Sequence, residues 1–199
     1  CVALGQNETA VTALQEAIRL DPSGAESYRL LAQACKRLDR LAEAASALKN
    51  AAQLNPKEAP LQLALGETLR DLGQYNEAAD AFRRCLELDA NNAEAWCQIG
   101  LLYANAGHPR EAAGALESAV RIKPEHVEAL AGLGAAYVDL GRVEEGIDHL
   151  RQAVRLKPDH VDACWRLALG YETLRRYQDA VEAFRRVLRL RPQAAEAHY

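Results

Sequence analysis

The sequence repeats itself every 34 residues. The stretches at 28–39, 62–73, 96–107, 130–141 and 164–175 read YRLLAQACKRLD, QLALGETLRDLG, WCQIGLLYANAG, LAGLGAAYVDLG and CWRLALGYETLR. Leu31, Leu65, Ile99, Leu133 and Leu167 share one column, and Ala32, Gly66, Gly100, Gly134 and Ala168 share the next, which is always small. Gly73, Gly107 and Gly141 share a third. Further along each period Ala44, Ala78, Ala112, Gly146 and Ala180 align, followed four places later by Leu48, Phe82, Leu116, Leu150 and Phe184. Pro22, Pro56, Pro124, Pro158 and Pro192 punctuate the register, and Ala90 alone breaks that series. A fixed period of this length means stacked supersecondary units, each too small to bury its apolar face without a neighbour.

The period also disposes of a dinucleotide loop. Gly132 and Gly134 start a G-x-G pattern, but Tyr137 holds the place of the third glycine, and KPEHVEALA ahead of them has no β-branched run. A phosphate loop needs a strand there. A small column that recurs in five periods is a packing device.

Each period reads as two helices. In the fourth, the first helix is expected over about 127–140, with Leu130, Leu133, Tyr137 and Leu140 on one face. Gly141 suits the left-handed residue that closes it. The second is expected over about 143–156, with Ile147, Leu150, Ala153 and Val154 facing inward. Pro158 ends it, because proline disfavours helical geometry in the residue before it. Glu43, Glu77, Glu111, Glu145 and Asp179 recur in the first turn of the second helix, where an acid suits the positive end of the helix dipole. The small columns let paired helices approach closely, so a bulky residue there would overpack.

The pattern Trp96-x-x-Ile99-Gly100-x-x-Tyr103, then Ala112-x-x-x-Leu116, then Pro124, resembles the tetratricopeptide (TPR) repeat. Five units in phase cover 25–58, 59–92, 93–126, 127–160 and 161–194; residues 1–24 read as the end of an earlier unit and 195–199 as the start of a further one. The resemblance implies an all-α fold, a right-handed α-solenoid of stacked antiparallel helix pairs. It also implies a piece of a longer array, whose uncapped C-terminal end, with Phe184, Val187 and Leu188, would drive self-association.

The totals constrain partners. With 24 basic and 28 acidic residues and a net charge of −4, the chain has no overall attraction for nucleic acid or for an anionic membrane. No apolar run approaches the roughly 18 residues that span a bilayer. The five cysteines, Cys1, Cys35, Cys85, Cys97 and Cys164, form no C-x-x-C pair, and their odd count and scatter point to free thiols in a reducing compartment, the cytoplasm. His126 and His160 share a column at the turn between units and read as solvated turn residues, not metal ligands. His160 stands four residues before Cys164, near a helix start that could stabilise a thiolate. Cys164, however, shares its column with Tyr28, Trp96 and Leu130, which is a packing column. The sequence thus offers no catalytic residue, metal or cofactor site, and this segment reads as non-enzymatic. Arg175, Arg176, Arg185, Arg186, Arg189 and Arg191, with Arg121, Arg151 and Arg155 at equivalent places, form an outer stripe. Asp148 three before Arg151 and Glu182 three before Arg185 would pair part of it. The remainder fits an acidic protein better than a nucleic acid.

In the family the first helices line an inner wall that grips an extended or helical peptide. Carried onto this sequence, the inward places are the second, fifth, ninth, twelfth and thirteenth of each unit. They imply a candidate wall of Arg29, Gln33, Lys36 and Arg37 in the first unit, and of Leu63, Glu67 and Arg70 in the second. The third supplies Cys97, Leu101, Ala104 and Asn105; the fourth Ala131, Ala135, Val138 and Asp139; the fifth Trp165, Leu169 and Glu172. The early part is basic and polar, the later part apolar, so the implied partner is a protein or peptide with an apolar face and an acidic flank. The carboxylate clamp of chaperone-tail binders is absent, since Arg29, Gln33, Ala64, Glu94 and Gln98 occupy its places. The asparagine ladder of sugar-transferase arrays is absent too: that column reads Leu30, Ala64, Gln98, Gly132 and Arg166. The implied role is an interaction scaffold. The alternatives are a substrate-presenting segment of a larger transferase, such as a glycosyltransferase, and a self-assembling platform.

Overall fold

A computed structural model describes residues 2–191. Among the described residues it holds eleven helices and no strand: α1 (Val2–Leu20), α2 (Ala25–Arg37), α3 (Leu41–Leu54), α4 (Ala59–Asp71), α5 (Tyr75–Leu88), α6 (Ala93–Asn105), α7 (Pro109–Ile122), α8 (Val127–Asp139), α9 (Val143–Leu156), α10 (Val161–Thr173) and α11 (Tyr177–Leu190). The expected fourth pair corresponds to α8 and α9, with one boundary shifted by a residue. Two compact bodies divide between Ala95 and Trp96. The N-terminal body stacks α1 to α5 in sequence, and in the C-terminal body α7, α8, α9, α10 and α11 each pack on the next. The expected readings at Cys1 and 195–199 lie outside the described residues.

The turn inside each pair is chemically defined. Gly73, Gly107 and Gly141 hold φ of +76°, +77° and +80°, the left-handed region. After α8 the Gly141 amide donates to the Val138 carbonyl at 3.0 Å and the Arg142 amide to the Tyr137 carbonyl at 2.8 Å, which satisfies two otherwise orphaned carbonyls. Asp39 and Arg175 fill the same register place with φ of 58° and 57°, so the fold demands this conformation even where the sequence lacks glycine.

The turn between pairs carries a second device. Asn92 Oδ1, His126 Nδ1 and His160 Nδ1 accept from the amides of Ala95, Ala129 and Ala163 at 3.0, 3.4 and 3.1 Å. These side chains cap the first helices. The reading of His126 as a solvated turn residue is corrected by this: it is 6% exposed and its ring is spent on the helix start.

The small columns do what their spacing implies. A Cβ at Gly134 would stand 2.6 Å from Leu150 Cγ and 2.7 Å from the Gly146 carbonyl oxygen, so α8 and α9 meet backbone to backbone. Cβ atoms at Gly66 and Gly100 would stand 2.5 Å from Phe82 and Leu116. The core of the C-terminal body gathers Leu130, Ile147, Leu150 and Leu167 in one cluster and Leu116, Leu133 and Tyr137 in another. Gln152 and Arg186, one period apart, donate to the carbonyls of Pro124 and Pro158 at 3.2 and 3.0 Å, tying each second helix to the turn before its pair. Val187, read from sequence as an open end residue, is buried, whereas Leu188 is 47% exposed.

Candidate functional site

In the N-terminal body the candidate wall comes from α2 and α4. Its cations are mostly answered by its own acids. Arg29 donates through Nε to Glu26 at 2.7 Å and holds that carboxyl below its usual range. Lys36 lies 3.8 Å from Glu67 across the two helices, and Arg70 lies 2.7 Å from Asp71. Arg37 and Gln33 are exposed. Leu63 is half-buried against Ala59, Cys85 and Ala95. The basic character read from sequence is therefore largely neutralised within the wall.

In the C-terminal body the residues come from α6, α8 and α10, and they separate by depth. Cys97, Ala131 and Ala135 are 0%, 3% and 7% exposed and pack inside the stack. Leu101 is half-buried over Gly132, whose missing Cβ would meet Leu101 Cδ2 at 3.1 Å. Val138 is half-buried and wedged between α8 and α9, its Cγ2 2.7 Å from where a Gly146 Cβ would stand. Ala104, Asn105, Asp139 and Glu172 are exposed. The large apolar surface concentrates on α10, where Trp165 is 47% and Leu169 38% exposed. Trp165 is braced edge-on by Phe184 of α11 at 5.3 Å between ring centroids. The inward columns miss Val181 and Tyr177, which expose apolar surface on α11; their signal lay in the strong amphipathic contrast of that helix.

Cys164 is buried, burial raises its thiol pKa, and its Sγ lies 3.9 Å from the Pro158 carbonyl, so it stays a protonated packing residue. Cys35, Cys85 and Cys97 are likewise buried and in no disulfide. Tyr137 donates to Glu117 at 2.6 Å beneath the Arg142 guanidinium, 4.0 Å above its ring. His149 stacks obliquely on the same ring at 5.6 Å. Among the described residues no three His, Cys, Asp or Glu side chains converge, and no helix is long and apolar enough to cross a membrane.

Comparisons with known proteins agree with this architecture. Residues 74–198 match the family described as the cytochrome c-type biogenesis protein H TPR domain. Residues 1–39 and 37–105 match two further tetratricopeptide repeat families. No curated protein matches the sequence. Among solved structures, MamA residues 41 to the end from Desulfovibrio magneticus RS-1 is 28% identical, covering 85% of this chain and 96% of that one, with a TM-score of 0.76. YrrB, described as a TPR protein with an unusual peptide-binding site, is 21% identical over 91% of this chain and 93% of its own, with a TM-score of 0.73. PilF of Pseudomonas aeruginosa is 18% identical over 85% of this chain and 77% of its own, also with a TM-score of 0.73.

Proposed function

The chain belongs to the tetratricopeptide repeat family, and from that premise we propose that it is a non-enzymatic interaction scaffold whose first helices hold a peptide or helix of a partner protein. One observation carries the reading. Trp165 and Leu169 hold large apolar surface in solvent on α10, at register places that carry Arg29 and Gln33 in the first unit. Leu101 and Val138 contribute edges to the same helix set, although both also pack between helices. The buried Cys97, Ala131 and Ala135 keep that surface close to the backbone and so shape it without touching a ligand. Ala104, Asn105, Asp139 and Glu172 form its exposed margin, polar except at Ala104.

The partner has an apolar face that covers Trp165 and Leu169. On the N-terminal body, taken by itself, a separate acidic segment would reach Arg37 directly, and would compete with Glu26, Glu67 and Asp71 for Arg29, Lys36 and Arg70. Most of the gain from burying the apolar face is offset by lost freedom, so affinity on the order of micromolar is expected. The free buried thiols fit a reducing compartment, and we place the protein in the cytoplasm on that ground. The test is Trp165→Gln combined with Leu169→Glu. Both side chains are exposed, so helicity by circular dichroism should stay intact while the partners recovered from lysate and identified by mass spectrometry are lost. Equal recovery of the same partners by the variant sinks the assignment.

A further inference from the structure

Between the second helices α9 and α11, with α10 as its floor, the C-terminal body carries a cleft of about 1070 Å³. Its floor is apolar, formed by Leu167 and Tyr171 of α10 with Val154 at the foot of the α9 wall. Its walls carry five arginines, Arg151 and Arg155 from α9 and Arg185, Arg186 and Arg189 from α11, against the three carboxylates Asp148, Asp179 and Glu182. Those acids do little to neutralise the walls. Asp179 is held by Arg176 at 2.7 Å, Asp148 reaches Arg151 only at 3.9 Å, and the expected Glu182–Arg185 pair does not form. Arg186 is spent on the Pro158 carbonyl. Arg155, Arg185 and Arg189 make no ion pair among the described residues, although Arg189 Nε donates to the Arg185 carbonyl at 3.4 Å.

The repeat supplies its own control. Three periods earlier, the N-terminal body has a cleft of about 590 Å³ between α3 and α5, floored by Leu65 and Leu69. There Lys49 and Arg84 face Glu77, Asp80 and Glu87, and Lys49 is already paired with Glu77 at 2.8 Å. Gln53 and Glu87 stand where the later cleft has Arg155 and Arg189. The fold therefore makes the cleft, but it does not require the positive charge.

We propose that the cleft between α9 and α11 binds an acidic peptide segment of a partner protein, with carboxylates alternating with apolar side chains. Arg155, Arg185 and Arg189 present planar guanidiniums that match carboxylates. Leu167 and Tyr171 beneath them receive the apolar side chains. The volume is comparable with the upper end of ligand sites, roughly 300–1,000 Å³, and accommodates a short stretch of chain. A nucleic acid fits worse for two reasons. The continuous charge of a phosphodiester backbone meets Asp148 and Glu182 inside the cleft, and the whole chain at −4 repels it.

The experiment is fluorescence anisotropy of the intact chain with a labelled peptide of repeating Glu-Leu-Glu-Gly at physiological salt. Binding is expected. Arg155→Glu with Arg189→Glu should weaken it roughly tenfold or more, and Arg155→Gln with Arg189→Gln by less. Both arginines are exposed, so the fold should survive by circular dichroism. Arg121→Glu, an exposed charge on α7 outside the cleft, should leave binding as it was. The proposal is overturned by an absence of binding, by equal binding of the charge-reversed variant, or by an equal loss in Arg121→Glu. It is also overturned by a loss that follows Trp165→Gln with Leu169→Glu instead, or by a single-stranded oligonucleotide that displaces the peptide at the same salt.

Discussion

A single backbone angle separates the fifth helix pair from the third and fourth. Arg175 holds φ of 57° where Gly107 and Gly141 hold +77° and +80°. A side chain in the left-handed region crowds its own carbonyl, at a cost of about 1–2 kcal/mol, while glycine there gives up about 0.5–1 kcal/mol of unfolded-chain entropy. The Arg175 side chain is exposed, so little contact is lost on its removal. Arg175→Gly should therefore raise stability by about 0.5–1 kcal/mol, read as a higher urea midpoint at unchanged slope. His149 acts with the opposite sign and depends on pH. Burial pushes its pKa below 6.5, against the partly offsetting pull of Asp148, Glu145 and Glu117. The unfolded chain then takes up a proton at a pH where the folded chain still resists it. The stability held above pH 6.5 is lost as pH falls below that value, and the loss levels off once the folded imidazole is also protonated. His149→Gln should remove this component, seen as a flatter pH dependence of the denaturation midpoint from neutral into mildly acidic solution.

Helix starts contribute at the scale of the element. Asn92, His126 and His160 cap α6, α8 and α10, whereas Gly24 and Glu58 at the same place make no side-chain cap. Asn92→Ala should cost about 1 kcal/mol, measured by chemical denaturation, and Asn92→Asp should restore most of it. Helix existence and ends were legible because the 34-residue register averages over five copies, and Leu130, Leu133, Ile147 and Leu150 fall where the period puts them. The caps were not legible, since histidine at a turn has the same sequence signature whether its ring faces water or a helix amide. The columns that the family resemblance implies for α6, α8 and α10 could be carried over by register, but the depth of their side chains could not. Cys97, Ala131 and Ala135 are too short to rise past their neighbours, while Trp165 at an equivalent place reaches solvent. The net charge of the N-terminal wall was equally hidden, because Lys36 and Glu67 stand on different helices, far apart in sequence, and meet only in the folded chain.

A repeat architecture also governs how stability is shared across the molecule. In a globular two-state protein every buried group becomes accessible through the same global opening. In an array each helix pair is coupled chiefly to its neighbours, so local stability varies along the chain. Four buried thiols report on this: Cys35 and Cys85 in the N-terminal body, Cys97 and Cys164 in the C-terminal body. Cys35, Cys85 and Cys164 have their pKa raised by burial, so alkylation in native buffer must wait for an opening event. Arg175→Gly relieves strain in the turn that joins α10, the helix of Cys164, to α11. It should slow labelling of Cys164 severalfold and leave the labelling of Cys35 close to that of the parent chain, both followed by peptide-resolved mass spectrometry. Equal slowing at both thiols would mean that the whole chain opens as one cooperative unit, and that the helix pairs, although repeated in sequence, are not energetically separable.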